Sequence, residues 1–242
     1  MLENIKIENI LFLDIETVPL KANWTELSDS MKELWDKKAK YFRSEEQTSS
    51  DVYQRAGIYA EFGKIVCISV GIIVNRKNKM CFRLKSFFGD DEKIILLEFS
   101  EMINQHRKNN KNFNLCAHNG KEFDFPYIAR RMLINGIKLP KILDISGKKP
   151  WEVMFVDTLE LWKFGDYKHY TSLNLLTQIF DIPTPKDDID GSMVADVYWK
   201  DKDVERIVKY CEKDVLAVVQ LLLKYKGKET IKPENVESVT QN

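Results

Sequence analysis

The sequence lacks several features that mark specialised classes of protein. Its formal net charge is zero, so it is not the strongly basic chain typical of proteins that coat nucleic-acid duplexes. The four cysteines form no CxxC pair and lie among apolar residues, which favours small core residues in a reducing compartment. No apolar run approaches the roughly 20 residues of a membrane helix, and the N-terminus lacks a signal-peptide layout. We therefore expect a cytoplasmic protein without membrane association.

The chain has enough length and apolar residues for one well-packed domain. It contains 242 residues, of which 44% are hydrophobic and 31% are charged. Apolar or alternating runs predict strands at residues 9–14, 64–74, 80–88, 114–118 and 152–157. Helical periodicity predicts helices at 91–109, near 122–135, and at 171–180, 192–199 and 203–224. This order of elements indicates a single α/β domain that spans residues 1–225.

Two segments differ from this pattern in composition. Residues 21–62 are rich in Lys, Glu, Asp and Ser, with large apolar side chains at helical spacing, and they predict a helical insert. Residues 226–242 are polar, and we expect them to form a disordered C-terminal tail. The insert has three possible roles at this stage: a partner surface, a wedge against the substrate, or a lid.

Two acids, Asp14 and Glu16, end the first apolar run in the segment ILFLDIETVP. Side chains two residues apart in a strand point to the same face, so Ile15 points the other way, into the core. Residues 17–19 then end the predicted strand. Taken alone, two incidental acids at an exposed strand end explain this pattern better than a functional site does.

A third acid, Asp124, follows a predicted strand in the segment AHNGKEFDFPYIARR. Acids favour helix N-termini because of the helix dipole, and this explanation would be sufficient if the segment stood by itself. Asn119 and Gly120 predict a tight turn, however, and Phe123 beside the acid offers a face on which an unstacked base could rest.

Tyr210 and Asp214 occur in VKYCEKDVLAVV, on the predicted last helix. Their spacing of four residues puts them on one helix face, beside the apolar stripe. Taken alone, a pair that braces the helix against its neighbours is as good an explanation as a functional pair. Four carboxylates that converge on one point would repel one another, and two divalent cations would remove that cost.

In their order along the chain, the blocks DIE, NGKEFD and YCEKD resemble the motifs of the DEDD exonuclease superfamily, in its tyrosine-bearing subgroup. The spacings N-x3-F-D and Y-x3-D match the second and third motifs of that family. The wider chain, through SLNLLTQIFDIPTPKDDIDGSMVADVYW and VKYCEKDVLAVVQLLL, is similar to stand-alone 3′–5′ exonucleases like the exonuclease domain of family-B DNA polymerases. The resemblance covers residues 9–224.

The resemblance implies a ribonuclease H-like fold, with a mixed sheet of roughly five strands flanked by helices. It implies a metal-dependent 3′–5′ exonuclease that acts on a free, preferably single-stranded 3′ end of nucleic acid, with DNA favoured, and releases nucleoside monophosphates. The implied cofactors are two divalent cations, Mg²⁺ or Mn²⁺. Carried over onto this sequence, the metal ligands are Asp14, Glu16, Asp124 and Asp214, and Tyr210 positions the attacking water.

Residues beside these motifs are the candidate substrate contacts, because the family brings main chain after the first motif to the terminal sugar. They are Thr17, Val18, His118, Asn119 and Phe123. Candidate phosphate contacts, for each of which a solvated surface charge is favoured instead, are Lys163, Lys168, His169 and Lys186. Trp162 and Tyr170 are candidates for base stacking, with core packing at least as good an explanation.

Other functions are also consistent with this pattern of motifs. One is a nucleic-acid-binding module that has the fold without the chemistry, although the presence of all four carboxylates and the tyrosine counts against it. Another is a proofreading subunit that acts only with a polymerase, in association with replication or repair proteins. Zero net charge is compatible with each of these, because a grip on a few nucleotides needs few basic side chains.

Overall fold

A computed structural model describes residues 2–77, 79–166, 170–183 and 189–241, so the candidates Lys168, His169 and Lys186 lie outside the described residues. Within these ranges, six strands form one sheet in the order β5-β4-β1-β2-β3-β6. The strands are β1 (Ile10–Pro19), β2 (Gly63–Arg76), β3 (Lys79–Phe88), β4 (Asn114–Ala117), β5 (Val156–Asp157) and β6 (Val236–Ser238). The sheet is mixed, because β2 is antiparallel to β1 and β3, whereas β4 is parallel to β1, β5 to β4, and β6 to β3.

Helices flank both faces of this sheet, as predicted. They are α1 (Asp29–Ala39), α2 (Glu92–Asn109), α3 (Asp124–Ile134), α4 (Thr158–Lys163), α5 (Leu173–Ile179), α6 (Val194–Asp196) and α7 (Val204–Tyr225), and α6 continues into a π-helical turn, Val197–Asp201. No helix in the described part of the chain is both long and apolar enough to cross a bilayer.

Alternation along β1 separates the two sides of the core. Leu11, Leu13 and Ile15 pack with the apolar residues of α2 and α3. Ile10 and Phe12 point the other way and pack with the apolar stripe of α7. The predicted orientation of Ile15 is therefore confirmed. By the same period of two, the side chains of Asp14 and Glu16 lie on the α7 side of the sheet. The strand ends at Pro19, within the predicted terminal residues 17–19, and it reaches that point through a bulge after Glu16 that the sequence did not predict.

The segment 21–62 contains α1 and short 3₁₀ turns around one fully buried indole. Trp35 contacts four aromatic rings, and its Nε1 donates a hydrogen bond of 2.8 Å to the carbonyl of Ser49. Gly57 packs against the end of β1, where a Cβ would lie 3.2 Å from the carbonyl carbon of Val18. The Tyr127 hydroxyl of α3 donates to the Gly57 carbonyl at 2.7 Å, which ties this segment to the main domain.

The prediction of a disordered tail over residues 226–242 is wrong for its described part. Val236–Ser238 forms β6 on the edge of β3, which raises the strand count from the predicted five to six. Upstream, the backbone N–H and carbonyl of Ile231 bond to the Gln220 side chain at 2.8 and 2.7 Å. Polar composition suggested disorder, but the unpaired backbone groups of an edge strand can order a polar segment through hydrogen bonds alone.

Candidate active site

The two acids of the first motif lie on the central strand β1, on the side of the sheet that faces α7. Asp14 is opposite Ser69 of β2 and Glu16 is opposite Cys67, with the bulge directly after Glu16. Glu16 is buried and Asp14 is half-buried. Their common face is the one predicted from their spacing, and the extended backbone of a central strand holds them rigidly.

The helix α7 brings Tyr210 and Asp214 to the same place. The helix begins at the Asp203 side chain, which accepts the backbone N–H of Arg206, and its apolar stripe packs on the sheet. The Tyr210 hydroxyl donates to the Asp214 carboxylate. Asp214 is close enough to the acids of β1 to raise the pKa of both by repulsion. The predicted one-face arrangement of Tyr210 and Asp214 thus points at the acids of β1.

The first residue of α3 is Asp124, and a tight turn after β4 determines its position. Asn119 adopts the left-handed conformation (φ 62°), which asparagine tolerates better than most residues. Gly120 approaches β4 so closely that a Cβ would lie 2.4 Å from the Cβ of Ala117. Asp124 is 3% exposed and accepts the backbone N–H of Ile15, so its carboxyl lies against β1.

Burial, and then mutual repulsion, raises the pKa values of the carboxyl groups. For Asp14 the chief cause is burial, followed by repulsion from Asp124, Glu16 and Asp214. Burial is also the main cause for Glu16, with Asp214 next. The pKa of Asp124 rises from its usual value to about 7, mainly through burial. Without compensating positive charge, these groups resist ionisation at neutral pH.

The donor set fits a pair of hard divalent cations. Carboxylate oxygens are the ligands that Mg²⁺ and Mn²⁺ prefer, and bound cations would favour the ionised form of each group. Asp124 Oδ1 is buried and has no hydrogen-bond partner among the described residues, so it carries a lone pair free for a cation. The four acids come from three elements that approach one another only in the folded chain.

Cys211 belongs to this cluster as well, which the sequence reading assigned only to the core. Its Sγ lies 3.4 Å from Asp14 Oδ2 and 3.5 Å from the Asp14 carbonyl oxygen. The thiol and one carboxylate oxygen each of Asp14 and Glu16 lie within 4.8 Å of one another. The side chain is fully buried, as predicted for a core cysteine, but its position directly after Tyr210 was a signal that it also borders the site.

Asp157 is a further residue that the sequence reading missed. It ends β5, caps α4, and accepts the backbone N–H groups of Asn119 at 2.9 Å and Lys121 at 3.0 Å. Its carboxylate also raises the pKa of Asp124 by repulsion. The signal was available, since an acid at the carboxyl end of a strand parallel to its neighbours lies at the edge where sites form.

Thr17 and Val18, the predicted substrate contacts that follow the first motif, expose little of their side chains. Val18 is fully buried, so only its main chain could meet a substrate. Thr17 is half-buried, and its hydroxyl donates to the Tyr127 phenol oxygen. Gly57 packs against the main chain of Val18 and against Pro19. The substrate role of Thr17 and Val18 stays a prediction.

His118 is held by the protein through both ring nitrogens. Nδ1 is 2.9 Å from the Thr158 hydroxyl and Nε2 is 3.0 Å from the Thr171 carbonyl oxygen. Burial lowers its pKa, which favours the neutral ring, with Nε2 as the donor to that carbonyl. A hydrogen bond from the His118 ring to a nucleotide would require one of these contacts to break, so the role of His118 as a substrate contact stays a prediction.

The three aromatic candidates differ in exposure. Tyr170 is 64% exposed and packs edge-on against the ring of His118, with the ring centroids 6.2 Å apart. Partial burial and then repulsion from Asp124 and Asp14 raise the pKa of Tyr170. Trp162 instead packs in a small cluster with Phe180 and stacks on a second ring, so core packing is the observed outcome. Phe123 is half-buried, and its ring packs against that of Tyr127.

Comparisons with known proteins identify a family and a similar fold. A family model described as "Predicted 3'-5' exonuclease related to the exonuclease domain of PolB" matches residues 58–241, a range that includes α3 and α7 and begins after β1. A solved family B DNA polymerase from the hyperthermophilic archaeon Pyrobaculum calidifontis is similar in structure, with a TM-score of 0.51 and 14% identity. The match covers 89% of this chain and 24% of that chain. At this identity the likeness establishes the fold, which is ribonuclease H-like as predicted.

Proposed function

The chain belongs to the family of predicted 3′–5′ exonucleases related to the exonuclease domain of PolB, and we propose that it is a metal-dependent 3′–5′ exonuclease. The observation that carries the proposal is the meeting of acids from β1, α3 and α7, of which Glu16 and Asp124 are buried, with one tyrosine. Such a cluster is costly to maintain in a folded protein unless cations compensate it. The reaction is hydrolysis of the phosphodiester bond at a 3′ end.

The metal ligands in this proposal are Asp14, Glu16, Asp124 and Asp214. Two bound divalent cations, Mg²⁺ or Mn²⁺, would supply a water that loses its proton near neutral pH and would stabilise charge on the leaving oxygen. The protein holds the four carboxylates on rigid elements, so their positions need little adjustment on binding. Repulsion from each of the other three acids raises the pKa of Asp14, in addition to the effect of burial.

Tyr210 orients the attacking water in this proposal and does not act as its base. A free phenol has a pKa near about 10, already too high for a strong base at neutral pH. Burial and the neighbouring acids Asp214, Glu16 and Asp14 raise the pKa of Tyr210 further, so it stays protonated. A protonated phenol can donate to the Asp214 carboxylate and accept from a water at the same oxygen.

The substrate we propose is nucleic acid with a free, single-stranded 3′ end, DNA being favoured, and the products are nucleoside monophosphates. Tyr170 has an exposed ring whose pKa is raised in part by Asp124 and Asp14, and Phe123 directly precedes Asp124, which supports stacking of both rings on unpaired terminal bases. A paired end would have to be opened before its bases could reach these rings.

Digestion of end-labelled oligonucleotides tests the proposal. With Mg²⁺ or Mn²⁺, a 5′-labelled strand should shorten progressively, while a 3′-labelled strand should release its label at once as a mononucleotide. EDTA should stop both reactions, and matched DNA and RNA strands give the preference. A purified protein that cleaves neither strand under any of these conditions would favour the binding-module alternative, and cleavage only with an added polymerase would favour a proofreading subunit.

A further inference from the structure

The carboxylate of Glu212, which is not one of the proposed metal ligands, accepts hydrogen bonds from three hydroxyl groups. Glu212 Oε1 accepts from Ser86 Oγ at 2.9 Å, from Ser238 Oγ at 2.8 Å and from Thr240 Oγ1 at 2.5 Å. Ser86 lies on β3, whereas Ser238 and Thr240 lie in and just after β6. A single side chain of α7 is thus bonded to both strands at this edge of the sheet.

From Ser86, polar contacts continue beneath α7 to the candidate active site. Ser86 Oγ is 2.8 Å from Ser69 Oγ, and Ser69 Oγ is 3.5 Å from Cys67 Sγ. The Cys67 thiol contacts the Cys211 thiol, which in turn lies 3.4 Å from Asp14 Oδ2. The intermediate side chains are all buried, so no solvent competes for these contacts.

Glu212 and the catalytic pair lie on opposite flanks of α7. Successive helical residues are about 100° apart around the axis, so Tyr210 and Asp214 lie about 40° from each other. By the same geometry, Glu212 is about 160° away from each of them. Between the flanks, Cys211 and Val215 are fully buried against the sheet. The helix is therefore attached to the sheet through its buried middle and through Glu212, on the flank opposite the catalytic pair, and this arrangement opposes rotation about its axis.

We propose that Glu212 is a positioning residue, which together with Val236–Thr240 fixes the rotation of α7 and so places Tyr210 and Asp214 against the acids of β1. This inference rests on the proposed function, because its effect is on a metal site and a reaction. Without the hydroxyl bonds to Glu212, only the apolar contacts of the buried side of α7 would oppose rotation of the helix about its axis. These contacts would fix the rotation less well, because apolar contacts are not directional.

Point variants in the full-length chain test this role. Glu212→Ala should lower kcat by about tenfold or more, because small displacements of reacting groups are costly. It should also weaken Mn²⁺ binding measured by calorimetry, since Asp214 moves with the helix, and change KM for the oligonucleotide little. Glu212→Gln should retain most of both properties because its amide oxygen still accepts hydrogen bonds. Glu205→Ala removes an exposed acid from the same helix and serves as the charge-matched control.

A second variant approaches the same contact from the other side. The pair Ser238→Ala and Thr240→Val removes two donors from Glu212 without altering α7, and should reproduce part of the loss. Adding Glu212→Ala to that double variant should lower kcat and Mn²⁺ affinity by less than it does in the wild type. The effects of substitutions at residues that contact each other do not add, because each removes the same interaction. All assays are run well below the unfolding midpoint of each variant, so that loss of fold does not enter the rates.

The outcomes separate the inference from the proposed function. A folded Glu212→Ala protein with wild-type kcat and Mn²⁺ affinity would overturn the inference alone, as would full additivity with the Ser238 and Thr240 changes. If Glu212→Ala does not fold, the Ser238→Ala and Thr240→Val protein decides by the same two measurements. A wild-type protein that neither binds Mn²⁺ nor shortens oligonucleotides would overturn both.

Discussion

The Asp157 carboxylate accepts the backbone N–H of Asn119 at 2.9 Å and so connects the end of β5 to the turn that precedes Asp124. The same carboxylate accepts from Lys121 and from Leu159, at the start of α4. It is 3% exposed, so these bonds form in the absence of competing water. Asp157 thereby holds the turn against the end of β5, although it carries no assigned step in the reaction.

Replacement of Asp157 should impair catalysis through that turn. We expect Asp157→Ala to lower exonuclease activity or Mn²⁺ affinity by roughly 10- to 100-fold, the usual cost of losing a group that supports ligand residues. Asp157→Asn should lose less, because the amide oxygen can still accept one N–H. Oligonucleotide digestion and calorimetry with Mn²⁺ measure the two effects, and unchanged values for both variants would contradict the role.

Asp14 and Tyr210 should differ in how much activity depends on them. Asp14→Ala should abolish detectable digestion, because it removes the carboxylate that all the other acids approach. Tyr210→Phe should keep measurable activity, since only the orientation of a water is lost. Initial rates on one 5′-labelled oligonucleotide provide the comparison, and equal losses in the two variants would contradict this division of roles.

The metal-free protein should become less stable as the pH rises from about 4 towards 7. The pKa values of Asp14, Glu16 and Asp124 are raised in the folded state, that of Asp124 to about 7. The folded chain therefore binds more protons than the unfolded chain over this range, and its free energy of unfolding falls with pH. Thermal unfolding in EDTA measures the trend.

Two controls accompany that experiment. Saturating Mn²⁺ should reduce the fall with pH, because cations compensate the ionised carboxylates. Asp14→Asn should raise the unfolding midpoint of the metal-free protein at pH 7, by about 2 °C or more for each kcal/mol of repulsion removed. A metal-free midpoint that rises with pH over the same range would show that these carboxyl groups are not held in repulsion.

The buried pair of Arg131 and Glu92 should contribute to stability rather than to catalysis. Arg131 donates to Glu92 from Nε at 2.8 Å and from a terminal nitrogen at 2.5 Å, and both side chains are buried. Glu92→Ala leaves the guanidinium uncompensated, which typically costs about 3–5 kcal/mol. The exposed pair of Lys200 and Asp196 is the matched control, and Asp196→Ala should cost about 1 kcal/mol or less. Urea unfolding distinguishes the two, and similar small losses would contradict the prediction.

The strands, helices and facing of the motif residues could be read from the sequence because each depends on neighbours a few residues away. The period of two along β1 put Asp14 and Glu16 on one side and Ile15 on the other, and the observed packing agrees. The bulge in β1 and the order in the C-terminal segment could not be read in this way. Both depend on hydrogen bonds to strands that are distant in the chain.

The sequence by itself determined which residue types are present, on which element each lies and, through the order of three motifs, which family the chain resembles. Only the tertiary structure decided that these elements meet, and that Cys211, Asp157 and Glu212 support them. Contacts such as that between Asp14 and Cys211 join residues 197 positions apart, so no local pattern contains them. They follow from the order of strands in the sheet and from the face on which α7 packs.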